Sequence, residues 1–256
     1  LYFFIIIVMP KHSIENIRPY LSVHNFNFDI EYSKLMVDRI FILTTKEVVP
    51  MSENLETIIE SIKKEKLCKN VSIVHNDLTI HRKILTKSIS PNSAMANIGD
   101  AEEQAFDYIN KMNLKNILWL EDDAIIHSFS NNDFSNINNF LQEKQFDIMR
   151  LGYIATLQTI PVPISKTLFA GGFHGVVISR SGLKKYLEWK KKDLVSCDEY
   201  NLSYMIKNNM MRAFIGFKQY GYYKPLITQI FRKSASNKEW QTGIGNIIFK
   251  ILGLDS

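Results

Sequence analysis

The chain has 256 residues, 46% hydrophobic and 12% aromatic, enough for one large domain or two small ones. With 22% charged residues and a mean hydropathy of -0.09, it is neither a disordered nor a collagen-like chain. A net charge of +5 invites a polyanion-binding reading, while two cysteines, Cys68 and Cys197, are too few for a disulfide scaffold or a cysteine-built zinc site.

The chain opens with an apolar run, Leu1 to Val8, ahead of Met9-Pro10. It falls well short of the roughly 20 residues that span a bilayer. A trimmed anchor, an appended tag and an extra buried strand are all compatible with it, so residues 1–37 are set apart as a leader and residues 38–256 as one domain. Arg39–Thr44 is a short β-branched run and reads as a buried strand. Ser52, followed by Leu55, Ile58, Ile59 and Ile62, gives a cap and helical spacing through about Lys66. Val71–Val74 is a second strand, ending in His75-Asn76-Asp77. A polar, proline-containing loop near Ser88–Ser93 precedes a helix over Asp100–Lys111, and Asn116–Leu120 is the next buried strand. The stretch Asn131–Asn139 is so rich in Asn and Ser that it reads as a loop. Strands over Phe146–Leu151 and Gly175–Ile178 follow, then helices over Gly182–Lys191 and Asp198–Lys207. This alternation predicts an α/β domain with a mostly parallel central sheet flanked by helices. Ligands of such sheets sit beyond the carboxyl ends of the strands.

Glu121, Asp122 and Asp123 follow directly on an apolar strand at that edge. Adjacent like charges repel, and partial burial sharpens the repulsion unless a cation neutralises it. Hard oxygen ligands suit Mn²⁺ or Mg²⁺, either of which can also hold a diphosphate. The alternative is a solvated acidic turn.

Leu120-Glu121-Asp122-Asp123-Ala124-Ile125 resembles the DxD-type metal motif of GT-A glycosyltransferases, more specifically the "LEDD" of the lipooligosaccharide and procollagen galactosyltransferase group, glycosyltransferase family 25. Other pieces fall in that family's order. Arg39–Leu43 resembles its first nucleotide-binding strand, and Ile98-Gly99-Asp100-Ala101 its helix start before the acidic motif. Gly172–Gly182 resembles its strand-to-helix segment, Cys197-Asp198-Glu199-Tyr200 its later acidic motif, and Lys224–Gln229 its closing "P-L-V-x-Q" element. The resemblance spans residues 38–236. It departs at Thr44-Thr45-Lys46-Glu47, where the family has Asn-Leu-Asp-Arg-Arg, and at Glu103-Gln104, where it has Ser-His.

The resemblance implies a GT-A-like fold and transfer of a hexose, galactose or glucose, from a nucleotide sugar, UDP favoured, to a glycan, lipid or protein hydroxyl with inversion. Asp123 and Glu121 would hold the metal, and Asp122 would face metal, ribose or metal-bound water. Apart from the resemblance, His75, Asn76 and Asp77, and Thr44 and Thr45, stand at strand ends where they could contact the nucleotide, although polar loop residues are common there. A carboxylate near the acceptor must remove its proton. By resemblance that base is Asp198, with Glu199 next, although Asp198 also suits a helix cap. His174 could line the acceptor site or be a satisfied core histidine.

The charge is divided: residues 180–256 carry 14 Lys/Arg against 6 Asp/Glu, and residues 1–179 carry 17 against 20. The basic third, including Gln229, Arg232, Lys233 and Ser234, could face a diphosphate. Ile244–Leu254 could lie on a membrane surface or pack on the body. A nucleic-acid partner is not expected, because the basic residues lack aromatic interleaving. Two alternatives to the glycosyltransferase stand: a metal-dependent nucleotidyl- or phosphotransferase, without a Walker-type loop, and an inactive carbohydrate-binding module.

Overall fold

Short apolar runs bounded by polar residues fold here as strands of one large sheet. The computed structural model describes residues 11–85, 94–152, 156–158, 163–170, 174–191 and 216–229. In chain order these form β1 (Lys11–Arg18), β2 (Leu21–Asn27), β3 (Arg39–Thr44), α1 (Glu53–Glu65), β4 (Asn70–Asn76), α2 (Leu78–Leu85) and α3 (Ala94–Lys111). Then come β5 (Asn116–Glu121), β6 (Ala124–Ile126), α4 (Asn131–Glu143), β7 (Ile148–Arg150), β8 (Thr156–Gln158), β9 (Ile164–Ala170), β10 (Gly175–Ser179), α5 (Arg180–Lys191), β11 (Gln219–Tyr222) and β12 (Ile227–Gln229).

Ten strands make one sheet in the order β1-β2-β4-β3-β5-β10-β7-β11-β9-β8, and β6 with β12 makes a separate ribbon. The α/β expectation holds. The sheet is mixed: β3 runs parallel to both β4 and β5, and β7 parallel to β11, while the flanking pairs are antiparallel. Alternate residues of the central strands feed opposite faces. Ile40, Ile42, Ile73, Leu118 and Leu120 pack with Leu55, Ile58 and Ile62 of α1 and Phe134 and Ile137 of α4. Phe41, Leu43, Val74, Ile117 and Trp119 pack with Ala101, Ala105 and Phe106 of α3 and Leu183 and Tyr186 of α5.

Three expectations change. Residues 11–27 do not stand apart as part of a leader: β1 and β2 form a hairpin, and β2 pairs along all of β4 from Leu21↔Asn76 to Asn27↔Asn70. The hairpin covers an otherwise open edge of the parallel core, which would be an aggregation liability. Asn131–Asn139 is not a loop but most of α4. Its polar composition hides an apolar stripe, Phe134, Ile137, Phe140 and Leu141, all buried, behind a capping box in which Ser130 and Asp133 bond reciprocally. Burial of that stripe overrides the weak helix propensity of Asn. α2 also exists where no element was assigned. By contrast α1 begins as expected after Ser52, although the Ser52 side chain makes no capping hydrogen bond.

Asp133 does more than cap. Its Oδ1 accepts from the Tyr222 hydroxyl at 2.7 Å, and its Oδ2 pairs with Lys224 Nζ at 3.0 Å. Burial works against the charge, but the hydrogen bonds from Tyr222, Ser130 and Lys224 outweigh it and hold the carboxyl at about 2. A folded value below the unfolded one, roughly 3.9, means the stabilisation is present above that pH and lost as pH falls through about 4 toward 2. The unfolding midpoint of the wild type is expected to fall more steeply across that window than that of Asp133→Asn, followed by circular dichroism. Parallel curves would remove Asp133 from the account of acid stability.

Candidate functional site at the carboxyl edge of the sheet

Because β3, β4 and β5 are parallel, their carboxyl ends meet at one edge. Thr44 lies beside His75, and Leu43 beside Glu121. The three consecutive acids then separate: Glu121 ends β5, and Asp122 and Asp123 form the tight turn into β6. Asp122 turns toward β3, where the buried Thr44 hydroxyl donates to its Oδ2 at 2.7 Å. Glu121 and Asp123 come together instead. Gln229 Nε2 donates to Asp123 Oδ2 at 2.7 Å and to Glu121 Oε2 at 3.3 Å. The chain delivers Gln229 through the small ribbon, in which Gln229 sits opposite Ala124, the residue after Asp123.

The electrostatics mark this pair as strained. Burial, then the charges of Asp123, Glu102 and Asp122, pushes the Glu121 carboxyl well above the ordinary carboxylate range. Burial also raises Asp123, to about 6, against the lowering effect of the Gln229 hydrogen bond. Asp123 is buried, and its Oδ1 has no hydrogen-bond donor. A buried, unpaired carboxylate oxygen costs about 1–3 kcal/mol or more. Beyond the Gln229 amide and the nearby charge of Lys46, the Oδ1 side of Asp123 therefore lacks a donor or cation.

The other expected residues divide clearly. Thr44 is committed to Asp122, and Thr45 is exposed beside it. Asp77 caps α2: its Oδ1 accepts from the backbone N–H groups of Thr79 at 2.8 Å and Ile80 at 3.1 Å. Local capping thus accounts for Asp77, and a nucleotide role does not follow from its position. Asn76 is fully buried with neither side-chain amide atom bonded. Asp198 and Glu199 lie outside the described residues, as do Arg232, Lys233, Ser234 and Ile244–Leu254.

Gln229, which the sequence placed among groups facing a diphosphate, instead bridges the acids. Two further residues join the edge. His174 precedes Gly175, which pairs with Leu120, so the buried His174 stands in the sheet beside the end of β5. Its burial, and then the charge of Arg150, lowers its pKa to about 4, leaving it neutral. Arg150 is itself buried at the end of β7, opposite Val176. Nothing in the sequence reading singled it out. The signal was an arginine closing a short strand after the apolar pair Ile148 and Met149.

Among the described residues, no group of three or more His, Cys, Asp or Glu side chains is arranged to hold a metal ion. The Glu121–Asp123 pair alone is in place.

No protein-family model matches the chain, and no curated protein matches it. Two solved structures are similar to parts of the chain. A197 from STIV matches with a TM-score of 0.43 and 13% identity, over 73% of this chain and 81% of that one. The inositol-1-phosphate CTP transferase from T. maritima matches with a TM-score of 0.43 and 11% identity, over 79% of this chain and 93% of that one. Likenesses of this degree carry no argument, and the chemistry has to come from the chain's own side chains.

Proposed function

We propose that the chain is a metal-assisted glycosyltransferase. It would transfer a hexose from a nucleotide sugar, UDP favoured, to a hydroxyl of a glycan, lipid-linked or protein acceptor. The observation that carries this reading is the paired Glu121 and Asp123 at the carboxyl edge, with the buried Oδ1 of Asp123 lacking any donor. The residues fit Mn²⁺ or Mg²⁺ of the kind held by one or two carboxylates together with substrate phosphates and water. When bound, such an ion supplies Lewis-acid stabilisation of the departing nucleoside diphosphate.

The remaining work falls to the protein. Thr44 fixes the rotamer of Asp122 and keeps that carboxylate apart from the pair, free to meet a ribose or a metal-bound water. Gln229 holds Glu121 and Asp123 in place against their repulsion. His174 and Arg150, both buried and near enough to act on one another, lie close by, just before β10 and at the end of β7 of the sheet. The resemblance supplies Asp198, then Glu199, as the base that takes the acceptor proton, and a single displacement there would invert the anomeric centre.

A site with only two carboxylates predicts that metal and nucleotide each bind weakly alone and reinforce one another. Calorimetric titration of Mn²⁺ with and without saturating UDP is expected to show tightening of about 5- to 150-fold, with UDP gaining the same factor from Mn²⁺. UDP affinity indifferent to Mn²⁺ would remove the metal from the proposal. A donor screen then reads the reaction: UDP release from UDP-hexoses supports glycosyl transfer, whereas diphosphate release from nucleoside triphosphates points to nucleotidyl transfer.

A further inference from the structure

The opposite, amino edge of the same strands holds a second feature. The segments entering β3, β4 and β5 each deposit one cation there: Arg39 begins β3, Lys69 precedes Asn70 of β4, and Lys115 precedes Asn116 of β5. Parallel pairing, with Ile40 beside Val71 and Arg39 beside Ile117, brings the three entries to one line. They border an open cleft of about 510 Å³, whose wall also carries Asp38, Asn70 and Asn113.

The charge of this cleft is not balanced from within. Asp38 is its one carboxylate, and its Oδ2 is occupied by the backbone N–H groups of Lys115 and Asn116. None of the three cations belongs to an ion pair; the pairs among the described residues are His81–Asp100, Lys111–Asp107, Lys185–Asp147 and Lys224–Asp133. Arg39 is the informative one. Its Nη1 donates to Asn25 Oδ1 at 2.9 Å and Ser72 Oγ at 2.8 Å, both neutral acceptors, while its buried Nε has no partner. Glu15 acts on this partly desolvated guanidinium only from a distance and makes no ion pair with it, so an anion delivered to it offsets part of the cost of its burial. An arginine and two lysines lining one cleft beside amide side chains match the oxygens of a phosphate group.

We infer that the amino-edge cleft between Arg39, Lys69 and Lys115 is a second, metal-independent site for a phosphate-bearing anion. The six-residue length of β3 places it about 17 Å from the acidic edge, at ~3.3 Å of rise per residue. It is therefore separate from any site for the donor diphosphate, and it stands whether or not the transferase reading does.

The test is calorimetric titration of inorganic diphosphate in EDTA, which denies the acidic edge its cation. The wild-type chain is expected to bind one diphosphate saturably, and Asp123→Asn to bind it equally well. Lys69→Glu/Lys115→Glu is expected to weaken it by at least about tenfold, as loss of charge-assisted hydrogen bonds does, with the thermal midpoint retained. Lys69→Gln/Lys115→Gln, which only removes the charges, is expected to weaken it by a smaller factor and guards against a folding defect in the first variant. Orthophosphate and AMP as parallel ligands distinguish a site for the free ion from one for a nucleotide phosphate. No saturable binding by the wild type, binding untouched in both lysine variants, or binding lost in Asp123→Asn would overturn the inference.

Discussion

Asp123→Asn is expected to lower kcat/KM for nucleotide-sugar turnover by about 10³-fold or more while leaving the metal-free fold at least as stable. The two halves have one cause. In the folded chain Asp123 is buried, and burial raises its carboxyl to about 6, above the ordinary value of 3.8. A raised acid is more easily protonated folded than unfolded, so metal-free stability declines as pH rises from about 4 through 6. Asparagine removes that penalty and can still accept the Gln229 hydrogen bond through its Oδ1. It cannot supply the charge that holds a divalent ion, whose stabilisation of the leaving group is worth several kcal/mol, or roughly a thousandfold in rate. Thermal unfolding in EDTA and steady-state kinetics in Mn²⁺ measure the two halves. A variant that turns over normally would sink the assignment of Asp123. One that unfolds in EDTA would show its role to be structural.

Gly152→Ala is expected to destabilise the fold by about 2–3 kcal/mol and to loosen the acidic pair as well, through backbone displacement rather than lost chemistry. A Cβ at Gly152 would come within 2.4 Å of the Ile227 carbonyl oxygen and 3.0 Å of the His174 ring. The first of these is backbone, which cannot rotate aside. Ile227 begins β12, and its N–H donates to the Leu151 carbonyl at 3.1 Å, so any shift is passed to Gln229 two residues on. Urea unfolding gives the stability loss. The loss of UDP–Mn²⁺ synergy, measured on protein still folded, gives the coupling. A destabilised variant with wild-type synergy would separate Gly152 from the site.

Much of the fold could be read from residues alone, because the central strands are buried on both faces and so are continuous apolar runs, as in Ile117 to Leu120. The unread elements are those whose stability comes from contacts the pattern does not display. β1 is a mostly polar edge strand whose Ile14 is exposed and whose Ile17 only partly packs on the core, so its ladder with β2 does most to hold it. β6 and β12 have three residues each and exist only through pairing with one another. α4 was hidden by asparagines on its exposed face.

The site follows the same division. Three acids after an apolar strand were legible as charge needing compensation. Their separation into Asp122 on one side and Glu121 with Asp123 on the other was not, because it depends on the turn between β5 and β6 and on partners far away. Gln229 lies 106 residues from Asp123 in the chain. Asp77 is the reverse case: a polar residue after a strand has two readings, and the start of α2 decides for the cap.

The small ribbon has a consequence for how the chain can change length. Gln229 reaches the acids only because three residue pairs, Ile227↔Ile126, Thr228↔Ile125 and Gln229↔Ala124, fix its alignment, with Thr228 and His127 locked together at 2.8 Å. Shifting a strand by one residue turns its side chains to the opposite face. A single deletion between Leu226 and Gln229 would therefore aim the amide away from Glu121 and Asp123 while leaving the ten-stranded sheet intact. The turn at Tyr223 to Pro225 could absorb the same change. Natural variation in length is expected to collect in that turn and to be purged from the three residues after it.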